Sequence, residues 1–121
     1  MKTHARIVSL QWALWFAGSF GAAHAAVIAD KDVSKHVGQP VTVEGVVTGT
    51  HVSAKGTEFL DFGPRYPNQD FTVVIFARSS AEIGDIARFY GKRLDVSGTV
   101  ELYRGRPEII VSSASQIHVA R

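Results

Sequence analysis

Six residues stand out for a chemistry they could share. Lys55, Arg65, Arg104 and Arg106 are cations and Tyr66 and Tyr103 are aromatic, and all six fall in or beside the turn-like segments of the chain. Cations can track phosphates, and each aromatic ring can stack a base for about 1–3 kcal/mol, so the mixture suits a single-stranded nucleic acid or another anionic ligand. Charged and turn-forming residues also populate the exposed loops of any domain, so their placement has to carry the reading. Glu58, Asp61 and Asp70 lie near the same segments in sequence. These carboxylates would repel phosphate unless Arg65 or Lys55 paired with them. They also raise a second chemistry, a metal-dependent phosphodiesterase in which Asp61 and Asp70 converge with an arginine on one cation.

Other reactive groups form no constellation. His36, His51 and His118 are far apart, show no metal-ligand spacing and adjoin no candidate nucleophile, so they read as solvated or core-edge histidines. The serines at 79, 80, 112, 113 and 115 lack a glycine-serine elbow and a partnered histidine. The chain has no cysteine, which excludes a disulfide, a thiol nucleophile and a thiolate metal site. The residues therefore point to a non-enzymatic binding module without a cofactor.

The first 25 residues have a different character. Lys2 and Arg6 form a positive start, the stretch from Ile7 to Phe20 is mostly apolar, and Ala23-His24-Ala25 is a small-x-small cleavage site. Gln11, Gly18 and Gly21 interrupt the apolar run too often for a transmembrane anchor. This predicts a signal peptide over residues 1–25, cleavage after Ala25, and a periplasmic or secreted product. Of the 13 basic residues, Lys2 and Arg6 lie in the leader; the other 11 balance the 11 acidic residues, so no net positive charge argues for a nucleic-acid partner. That neutrality equally suits a module that recruits a protein of the cell envelope.

The elements that would position the six residues are strands. Val41-Thr42-Val43-Glu44-Gly45-Val46-Val47 and Leu94-Asp95-Val96-Ser97-Gly98-Thr99-Val100 both read apolar-x-Val-x-Gly-x-Val. The alternation is that of a strand with one buried face, and a glycine inside a strand marks a bulge, a bend or a close backbone approach. A polar lead-in over residues 26–38, with one or two helical turns, precedes a domain over 39–121. Strands are expected over about 41–52, 57–62, 71–77, 93–103 and 108–111, with a short pairing segment at 116–119. The register of the second strand leaves open whether Phe59 or its neighbours face inward. One helix, capped by Ser79 or Ser80, with Glu82 in its first turn, presents Ile83, Ile86, Ala87 and Tyr90 to the core and stops at Gly91.

Three strands, one helix and two strands, with kinked first and fourth strands, is the order of an all-β, five-stranded Greek-key OB-fold barrel with one helix between strands 3 and 4. Val43 to Val47, Glu58 to Gly63, Phe71 to Ile75, Tyr90 to Val100 and Arg106 to Val111 together resemble OB-fold nucleic-acid-binding domains of the anticodon-binding type. Phe59-Leu60-Asp61-Phe62-Gly63 followed by Asp70-Phe71-Thr72-Val73 is similar to small exported bacterial OB-fold proteins. The resemblance covers about residues 39 to 119. It implies a ligand cleft on strands two and three, flanked by the loops that carry Lys55 and Tyr103 to Arg106.

Overall fold

The computed structural model describes residues 25–120. The expected signal peptide therefore lies outside the described residues, apart from Ala25.

Among the described residues eight strands form one sheet: β1 (Ala26–Ala29), β2 (Pro40–Val52), β3 (Glu58–Phe62), β4 (Phe71–Ile75), β5 (Arg93–Thr99), β6 (Glu101–Tyr103), β7 (Arg106–Ile110) and β8 (Ile117–Val119). Their order is β6-β7-β4-β3-β2-β5-β8, with β1 added to β2. The β1–β2 and β4–β7 pairs are parallel and the others antiparallel. β6, at one end of that order, is separated from β5, near the other end, by Val100 alone. The Val100 side chain is fully buried, its N–H donates to Gln39 O (3.1 Å), and its carbonyl accepts from Gly38 N–H (2.8 Å).

β2 is long enough to serve two neighbourhoods. Its first half pairs with β1 and β5, and its second half with β3 after a register shift between Val47 and Gly49. Such an irregularity bends a strand and increases its twist.

The two glycines of the repeated pattern are sites of close approach. A Cβ on Gly98 would come within 2.6 Å of Ile109 Cγ2, and one on Gly45 within 3.0 Å of Asp30 Cβ and 3.2 Å of Phe62 Cδ2. β5 can thus lie against β7, and the segment after β1 against β2, only because side chains are missing there.

Alternation sends Val41, Val43 and Val47, Leu60 and Phe62, Phe71, Val73 and Ile75, Leu94 and Val96, and Ile109 into one core. The rings of Phe62 and Phe71 stack within it at 4.5 Å. The lead-in takes part: β1 adds a strand, and Val33, on a 3-10 turn over Asp30–His36, is fully buried.

The expected single helix is divided. α1 spans Ala77–Ile83, three residues earlier than a Ser79 cap would place it, so β4 ends at Ile75. It ends where Gly84 adopts φ +84°, and Asp85 then caps a separate 3-10 turn over Ile86–Phe89 by accepting from Ala87 N–H (3.0 Å). The break rotates the following residues, so Ile83, Ile86 and Phe89 face the core, whereas Tyr90 is exposed. Glu82 falls in the last turn of α1, not the first, and its Oε2 accepts from Ala114 N–H (2.9 Å).

Gly98→Ala should lower stability by about 1–3 kcal/mol, the usual cost of overpacking a fitted contact. Urea unfolding would read this as a lower midpoint with unchanged slope; an unchanged midpoint would mean that β5 can retreat from Ile109.

Candidate functional site

Strand alternation defines the outer face. Leu60 and Phe62 point into the core, so Phe59 and Asp61 lie on the opposite face; Thr72 on β4 and Glu108 on β7 share it. On β2, Gly49 and His51 are the register partners of Asp61 and Phe59.

Two cavities of about 560 Å³ and 270 Å³ open on this face, and both are lined by His51, Asp61 and Tyr66, so they form one groove. The larger continues over Thr48, Gly49, Thr50 and Arg65. The smaller continues over Phe59, Gln69 and Thr72 to Tyr103, Arg106, Pro107 and Glu108.

Four of the six residues singled out by type meet here: Arg65 and Tyr66 from the β3–β4 loop, and Tyr103 and Arg106 from the β6–β7 hairpin. An Arg106 guanidinium nitrogen donates to the Pro67 carbonyl and so ties the hairpin to that loop. Arg104 lines neither cavity, but its Cζ sits 5.2 Å from the Tyr103 ring centroid. Lys55 is exposed in the β2–β3 turn and also lines neither.

Other lining residues escaped the sequence. His51, read there as solvated or core-edge, stacks on Phe59 with ring centroids 4.5 Å apart and planes 13° apart. The signal was register: once Leu60 and Phe62 are assigned to the core, Phe59 and its β2 partner must lie outside.

Asp61 is the one buried polar or charged residue among those described, with 6% of its surface exposed. The Thr72 hydroxyl donates to its Oδ1 (3.2 Å). Burial holds its carboxyl above the ordinary range, against the opposing pull of Thr72, His51 and Arg106. Glu108 is raised by burial and by Glu101.

Asp70 belongs to another cluster. Its carboxyl is raised by burial, then by a hydrogen bond and like charge from Asp30. Asp61 and Asp70 thus take different partners, and among the described residues no group of three His, Asp or Glu side chains could hold a metal.

No family's sequence profile matches the chain, and neither does any curated protein. Solved structures do. An aspartyl-tRNA synthetase from Leishmania major Friedlin aligns with TM-score 0.53 and 15% identity over 81% of this chain and 21% of its own. A chain of the S. pombe Stn1-Ten1 complex gives TM-score 0.52 and 15% identity over 68% and 58%. The OBody AM1L10, in a structure bound to hen egg-white lysozyme, gives TM-score 0.52 and 17% identity over 82% and 93%. This chain thus spans about a fifth of the synthetase and 58% of the S. pombe chain. At these identities the likeness is one of fold, and the fold is OB-like.

Because the folded state holds the Asp70 proton more tightly than the unfolded chain does, this group stabilises most below its ordinary value of 3.8 and its contribution is lost as pH rises through the raised folded value. Asp70→Asn should therefore match the parent near pH 3 and gain a few degrees in Tm by pH 7. Thermal unfolding across that range checks this; a loss of Tm at pH 7 would show that the ionised pair is stabilising.

Proposed function

We propose that this chain is an exported, non-enzymatic module that binds single-stranded nucleic acid along the groove. If β5 and β6 are taken as one strand interrupted at Val100, and β1 and β8 as additions, the strand order supports a five-stranded Greek-key barrel whose ligand face would be the one that carries the groove. The observation that carries the reading is the continuity of the groove past His51, Phe59, Tyr66 and Tyr103, with Arg65 lining the larger cavity and Arg106 the smaller. The aromatic side chains offer stacking surfaces, and the arginines, with Arg104 beside Tyr103, can follow a phosphate backbone. The leader-like residues 1–25 support export.

A protein partner, in the cell envelope if the chain is exported, is the second reading. The OBody of nearly the same extent is bound to a protein, and Leu102, Tyr103 and Tyr66 are exposed here.

Fluorescence anisotropy with a labelled mixed-sequence 12-mer should show binding by the chain from Ala26 onward that weakens with salt. Arg65→Ala combined with Arg104→Asn, asparagine being chosen because residue 104 has φ +52°, should weaken it about tenfold. The salt slope should fall by about 1.4, roughly 0.7 for each single-strand phosphate that is no longer neutralised. Salt-insensitive or absent association would remove the reading. Tyr66→Ala should cost about 1–3 kcal/mol of binding with the slope preserved.

A further inference from the structure

The floor of the groove does not carry the charge that phosphates seek. Register aligns Gly49, Asp61, Thr72, Glu108 and Glu101 in one row across β2, β3, β4, β7 and β6. Three of the five are acids, and two of them, Asp61 and Glu108, line the groove; Arg106 lines it too but donates to the Pro67 carbonyl, while Arg65 and Arg104 sit in the flanking connections. Phosphates would be held at the rim and repelled from the floor, so the floor must face another part of the ligand.

Asp61 shows what that part offers. It is 94% buried yet lines both cavities. Oδ1 accepts from Thr72; no described residue donates to Oδ2, which lies 3.4 Å from the position a Cβ on Gly49 would take. Gly49 therefore leaves this oxygen open to the larger cavity. A carboxylate oxygen that opens to the cavity from a largely buried side chain gains from an incoming N–H donor and loses against an acceptor. The His51–Phe59 stack lies two residues along the same two strands, on the same face, where a planar base can rest with its edge toward the acid row.

Resting on the nucleic-acid reading, we propose that Asp61, with Glu108 beyond Thr72 in the same row, reads the bases and selects those that present an exocyclic amino group over uracil and thymine. Cytosine N4 and adenine N6 carry two N–H donors, and guanine adds an N2 amino group, whereas uracil and thymine present a carbonyl oxygen at position 4. Carboxylate acceptance from cytosine N4 is an established pairing, and a good base contact discriminates by roughly tenfold.

The test compares labelled (dC)12 and (dU)12, whose bases differ at position 4 and its neighbouring ring nitrogen, at pH 7.5 and low salt with the chain from Ala26 onward, which holds every described strand. The parent protein should bind (dC)12 at least tenfold more tightly than (dU)12. Asp61→Asn, which replaces one acceptor by a donor, should bring the ratio within about threefold. Should Asp61→Asn fail to fold by its thermal transition, Gly49→Ala, which covers Oδ2 at an ordinary contact distance, should also reduce the ratio. Equal binding of the two oligomers, a preference for (dU)12, or a ratio unchanged in a folded variant overturns the inference and leaves the nucleic-acid reading standing. Binding of neither oligomer removes both.

Discussion

At Gly98 one strand passes so near another that no side chain fits between them, and the return of the chain toward its starting strands depends on that contact. β5 must pair with β2 along one edge while its far end lies against Ile109 of β7. A sheet of alternating valines and isoleucines can twist, but it turns this sharply only where the backbone is bare. Gly45 does the same for β2, admitting both Asp30 and Phe62 where a side chain would stand. Core packing follows from these two contacts. Phe62 can stack on Phe71, and Val33 can join the same core, because the strands are drawn close.

The same geometry separates charges by depth. Positions on the outer face of the strands are partly enclosed by the β3–β4 loop and the β6–β7 hairpin, which Arg106 joins through the Pro67 carbonyl. Acids at those positions are partly stripped of water, and their carboxyls rise. Arginines in the connections keep their hydration. A ligand that satisfies both must be anionic along one side and rich in N–H donors along the other.

The strands were readable because valine, glycine and their period state both the buried face and the kink. The pairing segment at 116–119 was readable in the same way and became β8 on β5. The division of the helix is hidden in the sequence because an apolar period of three to four continues across Gly84, and only the positive φ there divides it. β1 and the burial of Val33 are not legible because a short mixed-charge segment shows no period, although one valine placed over a core is enough to dock it. Turn chemistry places Arg65, Tyr66, Tyr103 and Arg106 in or beside connections, and the fold brings those connections to the groove. His51, Phe59 and the depth of Asp61 required the register, which a one-residue slip would have reversed.

β2 also bears on how the fold is reached in time. It is bonded to residues 26–29, 58–62 and 93–99, and its pairing with β5 joins Pro40 to Thr99 and Val46 to Arg93. Contacts this distant in sequence make folding a matter of milliseconds to seconds, because much of the intervening chain must be ordered before the pairing forms. The central strand is completed only when residue 99 is available. A chain built this way emerges, whether from a ribosome or through a membrane pore, almost in full before it can commit to its native state.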